Sequence, residues 1–232
     1  IKGCEMQRFF DIVFSAFALV ILSPLFLFII IILRITGEGE IFYLQERVGK
    51  NGNLFKVYKF ATMLKNSSNL GTGTVTIKGD PRILPIGGIL RKTKINELPQ
   101  LLNVFFGEMS IIGPRPLTKE TFGYYPEKSK KLIENVRPGL SGIGSIVFRG
   151  EENIMSGSNA TVEFYKTVIA PYKAELEEWY VFNRSIYIYF SAIFLTVLVV
   201  LNLKTELIWQ IFKNLPKPPN KLENALNYKI YD

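Results

Sequence analysis

From Ile12 to Leu33 the chain reads IVFSAFALVILSPLFLFIIIIL, without one charged residue. A straight helix of that length runs about 33 Å at roughly 1.5 Å per residue, enough to cross a hydrocarbon core. The run is too long for the core of a signal peptide, and no small-residue cleavage site follows it. It also lacks the polar face of a helix that packs on a soluble protein. It is therefore read as a membrane segment. Ser23-Pro24 falls near its middle, where proline removes a backbone donor. Two forms follow: a kinked spanning helix whose freed backbone groups are satisfied locally, or a helix-break-helix hairpin that enters and leaves one leaflet. The pattern alone favours the span. Lys2 and Arg8 ahead of the run are offset by Glu5 and Asp11, whereas Arg34, Arg47, Lys50, Lys56, Lys59 and Lys65 follow it. That basic excess places the main body on the cytoplasmic side.

Beyond the run the periodicity changes. Residues 37–63 carry alternating apolar positions around Lys50-Asn51-Gly52-Asn53, after a turn at Gly37 and Gly39, and predict a short β-hairpin. Residues 65–79 are rich in Asn, Ser, Gly and Thr and predict a mobile loop. Gly87–Lys94 predicts a short helix. Glu97–Phe106 predicts another, with Leu98, Leu101, Leu102, Phe105 and Phe106 on one face and Pro99 in its first turn. SIIGPRP is extended, residues 119–136 are helical and basic, and RPGLSGIG is a glycine-punctuated turn. Phe164–Trp179 predicts a helix kinked at Pro171, and the tail after Pro216 is polar and loosely held. Ile186–Leu201 is a second apolar run, too short for a comfortable span. It reads equally as a core helix or strand, or as a helix at the membrane interface, where Trp179, Tyr180, Tyr187, Tyr189 and Trp209 favour the interface.

The 232 residues contain no histidine and a single cysteine, Cys4. Histidine-based acid–base catalysis, Ser-His and Cys-His nucleophile pairs, and His-containing zinc sites are thereby excluded. The chemistry falls to carboxylates, Lys, Arg, hydroxyls and backbone, and any metal is expected to be a hard cation such as Mg²⁺. The net charge of +8 fits nucleic acid, an acidic membrane surface or a phosphorylated substrate as partner.

Chemistry-bearing residues concentrate in Lys78–Pro116. Arg82, Arg91 and Arg115 offer planar forks suited to phosphate oxygens, and the prolines beside Arg115 restrict it. Glu97 is expected to open a helix, whose dipole favours a carboxylate facing a metal or substrate. Singly, each arginine reads as a surface cation and Glu97 as an ordinary first-turn carboxylate. No P-loop, GxGxxG or EF-hand is present. The residues by themselves give a membrane-attached body with a polyanion-binding region and no assigned reaction.

The succession of Ser23-Pro24 in the apolar run, FYLQERVGKNGNLFKVYKFATM, GDPRILPIGGILRKTKINELPQLLNVFFGEMSIIGPRP and VRPGLSGIG resembles the bacterial sugar transferases, the small monotopic phosphoglycosyl transferases. The resemblance covers about residues 6–150. It implies transfer of a sugar-1-phosphate from a UDP-sugar to undecaprenyl phosphate with release of UMP, dependent on Mg²⁺. It also implies an α+β monotopic protein at the cytoplasmic face of the bacterial inner membrane, with a re-entrant helix broken at Ser23-Pro24 in place of the span. The divisions expected are 1–36 (re-entrant membrane helix), 37–185 (catalytic domain), 186–212 (interfacial or membrane-packed helix) and 213–232 (polar tail). Phosphoryl transfer of this kind needs positioning, charge neutralisation and a nucleophile, but no histidine.

The resemblance implies a catalytic and metal-binding pair at Asn96 and Glu97, and phosphate contacts from Arg91, Arg115 and Arg137. Arg149 is added by its spacing after RPG, and Lys59 from the KF.TM block. The departure is at the centre: the family pattern is Asp-Glu-Leu-Pro-Gln, and this chain has Asn96-Glu97-Leu98-Pro99-Gln100. A carboxamide is a poor nucleophile, although its oxygen can still ligate a metal or accept a hydrogen bond. An engineered trap, a natural variant using Glu97 or direct displacement, and a catalytically silent relative that holds UDP-sugar or polyprenyl phosphate all stay open. Ala61 also stands where a basic residue is usual, and Ser145 where glutamine often follows. Expected partners are the UDP-sugar, undecaprenyl phosphate and an anionic membrane surface; nucleic acid is not one, and a homo-oligomer is left open.

Overall fold

The computed structural model describes residues 2–36, 38–65, 67, 81–155, 161–201, 203 and 206–228. Among the described residues the architecture is α+β, with many helices, most of them short, and two two-stranded sheets. Two compact units are built from interleaved segments: one from Ile1–Asp11, Arg47–Phe55 and Gly107–Asp232, the other from Ile12–Glu46 and Lys56–Phe106.

The second unit takes most of helix α1 (Lys2–Thr36) and the whole of its apolar run. Side chains such as Val20 and Phe28 are 72% and 61% exposed, so protein does not cover this surface. One helix is thus long and apolar enough to associate with a membrane. It is helical through Ser23-Pro24. The Val20 carbonyl, which would ordinarily accept from the amide of residue 24, accepts instead from the Ser23 hydroxyl at 2.7 Å. That substitution is how a proline is tolerated in an apolar helix.

Strands β1 (Phe42–Val48) and β2 (Leu54–Phe60) pair as expected. In their turn Asn51 and Gly52 take φ of 59° and 72°, the left-handed region that an Asn-Gly pair enters readily. Phe60 then meets Phe26 edge-to-face and stacks on Phe42, in a core with Ile29, Leu33, Leu84 and Leu90. Of the loop expected over 65–79, residues 66 and 68–79 lie outside those described. Arg82 is not a phosphate fork: it is 5% exposed and donates to the Ser67 carbonyl at 2.6 Å. Helix α2 (Pro85–Lys92) follows. The helix expected from Glu97 is corrected: α3 spans Gln100–Phe106, preceded by a single 3₁₀ turn at Ile95–Glu97. Pro99 has no N–H to continue the ladder, so the two cannot merge.

In the first unit the foot of α1 is tied down by polar groups. Gln7 donates to Ser110 Oγ and the Ile112 carbonyl. Asp11, 2% exposed, accepts from Ser110 Oγ, the Ile111 amide and the Tyr189 hydroxyl at 2.8, 2.9 and 2.9 Å. A carboxylate that offsets Arg8 in the charge pattern is here a saturated buried anchor. Strand β3 (Ser110–Ile112) pairs in parallel with β4 (Gly139–Ser141), so part of the predicted glycine turn is strand. The basic stretch splits at Tyr124–Pro126 into α4 (Lys119–Gly123) and α5 (Glu127–Ile133). After α6 (Ile143–Val147) and α7 (Glu151–Ile154), α8 (Val162–Phe164) passes through a π-helical turn at Tyr165–Ile169 into α9 (Ala170–Asn183). The wide turn sits just ahead of Pro171, whose missing amide would break the regular ladder. Leu117, Phe122, Tyr125, Ile133, Ala170 and Ala174 form the core here.

Ile186–Val200 is helix α10, buried along Ile188, Tyr189, Ala192, Leu195 and Val199. The aromatic belt is largely corrected: Tyr180, Tyr189 and Trp209 are buried, and Tyr187 alone of the five is fully in the open, while Phe182 and Phe194 are exposed instead. The described part of the tail, up to Tyr228, is not loose. After α11 (Leu207–Ile211), the carbonyl of Pro216 accepts from Tyr172, and Leu222 and Leu226 are buried around α12 (Asn220–Glu223).

Candidate active site

Lys59, Arg91, Asn96 and Glu97 belong to the second unit; Arg115, Arg137 and Arg149 belong to the first. In the second unit the local geometry starts from backbone. Helix α2 ends with the Lys94 amide donating to the Arg91 carbonyl at 3.1 Å and Lys94 itself at φ 61°, ψ 9°. A left-handed non-glycine residue costs free energy and persists where the surroundings impose it. It turns the chain so that Asn96 and Glu97 follow Arg91 on one tight 3₁₀ turn, closed by the Glu97 amide on the Lys94 carbonyl at 3.0 Å.

Glu97 Oε1 stands 3.4 Å from Lys59 Nζ, both side chains partly buried. Glu97 lies ahead of α3 rather than in its first turn, which replaces the expected helix-dipole argument with a direct cationic neighbour. Asn96 Oδ1 is buried and has no hydrogen-bond partner. Buried polar atoms are paired in the great majority of cases, so an orphan at this position marks an acceptor awaiting a donor or cation. Among the described residues no group of three or more carboxylate or thiol side chains could cage a metal. The Asn96 oxygen and the Glu97 carboxylate, on successive residues, are instead two hard oxygen donors. Oxygen donors of this kind are of the chemistry that a hard cation such as Mg²⁺ takes.

Two residues without a predicted role hold this arrangement. Asn103, 0% exposed, accepts from the Tyr58 amide at 3.0 Å and donates to the Lys56 carbonyl at 2.8 Å. It locks α3 to β2 one residue from Lys59. The signal was present: an amide flanked by Leu102 and Val104 in a helix that is otherwise apolar after Gln100. Gly87 lets α2 lie on the KFATM segment, because a Cβ there would fall 2.2 Å from the Thr62 carbonyl oxygen.

In the first unit the structure brings the loops of Arg115 and Arg137 together. The Gly139 amide donates to the Pro114 carbonyl at 2.7 Å, and the Gly113 amide to the Ser141 carbonyl at 2.9 Å. Arg137 Nε donates to the Gly107 carbonyl at 2.8 Å, leaving its terminal nitrogens for other contacts. Arg115 projects into the open between its prolines, and Arg149 is exposed just after α6. Ser145 Oγ, at the position where glutamine often stands, is buried without a partner.

The pairing of α9 with the Arg115 loop was not foreseen. Glu177, 2% exposed, accepts from the Arg115 amide through Oε1 at 3.4 Å, and its Oε2 has no partner. Burial pushes this carboxyl up to about 8, against the opposing pull of the Arg115 amide, Lys173 and the Arg115 guanidinium. Lys173 is lowered by its own burial and pairs with Glu151 at 2.6 Å.

Comparison with known proteins is consistent over most of the chain. The sequence model of the bacterial sugar transferase family matches residues 3–203. The exopolysaccharide production protein ExoY of Sinorhizobium fredii is 36% identical over 163 residues, covering 64% of this chain and 72% of its own length. The uncharacterized sugar transferase EpsL of Bacillus subtilis is 35% identical, covering 84% of this chain and 87% of its own. The UDP-glucose:undecaprenyl-phosphate glucose-1-phosphate transferase of Klebsiella pneumoniae is 32% identical across 85% of this chain, which spans 41% of that larger protein.

Proposed function

The chain belongs to the bacterial sugar transferase family, and from that premise we propose that it moves a sugar-1-phosphate from a UDP-sugar to undecaprenyl phosphate and releases UMP. The observation that carries this reading is the Asn96-Glu97 turn, with an orphaned buried oxygen and a carboxylate beside Lys59. That is a site for phosphate oxygens and a hard cation. Arg115 and Arg137, on loops joined through their backbones, supply the guanidinium forks that phosphoryl groups take up in bidentate fashion.

Asn96 and Glu97 are the proposed Mg²⁺ ligands, and the ion, when bound, neutralises phosphate charge in the transition state. The remaining work falls to the chain. Lys59 and Arg91 balance charge on the second unit, and Glu97 orients the donor. In the two-step scheme a carboxylate at position 96 would attack the β-phosphorus, break the bond to the UMP oxygen and then yield the phosphosugar to the lipid phosphate. With Asn96 that nucleophile is missing. The lipid phosphate oxygen must then attack the β-phosphorus directly, or Glu97 must take the part. Asn96 itself favours a second reading, a silent relative that binds UDP-sugar or polyprenyl phosphate without turning them over.

α1 is proposed to enter and leave one leaflet at Ser23-Pro24 and so to hold the body on the cytoplasmic face of the inner membrane. The exposed apolar surface of α1 supports membrane attachment. The test is UMP release from a panel of UDP-sugars with undecaprenyl phosphate and Mg²⁺, on this chain and on Asn96→Asp. Turnover by the unaltered chain establishes the reaction, whereas turnover by Asn96→Asp alone shows that the unaltered chain is the silent relative. Binding of UDP-sugar without UMP release by both supports the silent relative.

A further inference from the structure

Pro114 and Pro116 have no N–H, so in the Pro-Arg-Pro segment only the Arg115 amide can be anchored as a donor. Its acceptor is Glu177, a carboxyl group from α9 that is almost wholly buried. Room for that carboxyl is provided by Gly144, where a Cβ would come within 2.5 Å of Glu177 Oε1. A buried acid is an expensive way to hold one amide, since a neutral acceptor would do the same with less desolvation. Its position next to an exposed arginine gives it a further use. We propose that Glu177 is a positioning residue: it fixes the backbone of Arg115, and its charge state sets how far the Arg115 guanidinium is available to the phosphates of the donor. The proposal rests on the reading that Arg115 binds those phosphates.

The groups facing Glu177 are the Arg115 guanidinium, Lys173 of its own helix, and the phenols of Tyr125 and Tyr180; Glu151 lies behind Lys173. Lys173 is already engaged by Glu151, so its charge is only partly available to Glu177. With burial raising the carboxyl to about 8, the neutral form prevails at pH 7. On ionisation, a carboxylate with one unpartnered oxygen competes with phosphate for the neighbouring guanidinium.

The test uses the full chain in detergent micelles, with UDP as probe and Mg²⁺ present, from pH 7 to 9. UDP affinity of the unaltered protein is expected to weaken as the pH passes 8. In Glu177→Gln, an isosteric neutral side chain, it is expected to match at pH 7 and stay level. Glu177→Leu is expected to bind UDP about tenfold more weakly at every pH, the scale of one lost hydrogen bond beside a charge. Hydrogen exchange at the Arg115 amide, read without ligand, is expected to be fast in Glu177→Leu and protected in Glu177→Gln. Equal alkaline weakening in the unaltered protein and in Glu177→Gln would overturn the proposal, because every other titrating group is shared. Unchanged exchange at Arg115 in Glu177→Leu would overturn it too. Failure of the unaltered protein to bind UDP at pH 7 would instead refute the UDP-sugar reading and with it the phosphate role, and the exchange measurement would still decide whether Glu177 holds the loop.

Discussion

Gly113 and Gly139 lie backbone against backbone, so close that a Cβ on Gly139 would fall 2.2 Å from the Gly113 nitrogen. Gly113 precedes Pro114-Arg115, and Gly139 follows Arg137-Pro138. The same contact that pairs β3 with β4 therefore fixes the separation of the two arginine loops. Gly142 adds a third member, since its Cβ would meet the Gly113 carbonyl oxygen at 2.0 Å. The glycines of GPRP and RPGLSG are explained by this approach of backbones rather than by turn geometry. None of the three has a φ in the left-handed region.

The same reasoning separates two adjacent glycines in α2. Gly87→Ala places a methyl against the Thr62 carbonyl and is expected to destabilise the protein by about 1–3 kcal/mol, the usual cost of overpacking. Gly88 has nothing within 4 Å, so Gly88→Ala gains helix propensity and is expected to stabilise by up to about 1 kcal/mol. Thermal unfolding in detergent reads both. Stabilisation by both variants would show that the close contact at Thr62 does not exist.

Asn103 is the second test of the site's framework. Asn103→Leu fills the space but leaves the Tyr58 amide and Lys56 carbonyl unsatisfied, at a cost of about 2–4 kcal/mol for two buried groups. Because β2 is then free to shift at Lys59, the Lys59–Glu97 pair loosens as well. The expected result is lower stability together with weaker Mg²⁺-dependent UDP binding. A variant that loses stability yet binds UDP normally would confine Asn103 to the fold.

Much of this was legible along the chain. The apolar run and the Asn51-Gly52 turn follow from periodicity and local turn chemistry, which act over a few residues, whereas Ile186–Leu201 reads equally as helix or strand because an unbroken apolar run carries no period. Long-range uses of polar residues were not legible. Asp11 reads as a charge ahead of the apolar run, but its partners Ser110, Ile111 and Tyr189 are distant in sequence. Arg82 reads as a phosphate fork and serves a backbone carbonyl. Glu177 is one acid among several in AELEEW, and only folding buries it behind Arg115. The tail after Pro216 reads as polar because its leucines are few, yet Leu222 and Leu226 are buried and suffice to dock it.

Ser23 and Pro24 form a coupled pair in α1, in which the hydroxyl of one satisfies the carbonyl freed by the other. Pro24→Ala restores the amide and makes the hydroxyl redundant, so the segment is expected to shift toward a straight span. With Cys4 replaced, single cysteines introduced near residues 5 and 37 report sidedness in membrane vesicles. Both are expected on the cytoplasmic side in the parent and on opposite sides in Pro24→Ala. Opposite sides already in the parent would sink the re-entrant form.

The dyad carries the sharpest test. Asn96 keeps an oxygen for a cation but has no charge and no nucleophilic lone pair of carboxylate strength. Glu97 is the carboxylate beside it, and a metal-bound oxygen attacks phosphorus poorly, so one residue cannot easily serve as ligand and nucleophile in the same step. The chain as it stands is therefore expected to turn over slowly. Loss of a nucleophile costs several orders of magnitude, at about 1.4 kcal/mol of barrier per factor of ten. Asn96→Asp is expected to raise the rate sharply and to let a phosphosugar-enzyme be trapped with labelled UDP-sugar. The new carboxylate also repels Glu97, a strain that the Lys59 ammonium at 3.4 Å and a bound cation offset. If Asn96→Asp gains nothing while Glu97→Gln abolishes turnover, this chain works through Glu97 or by direct displacement, and the orphaned Asn96 oxygen is then a ligand in its own right rather than the remnant of a nucleophile.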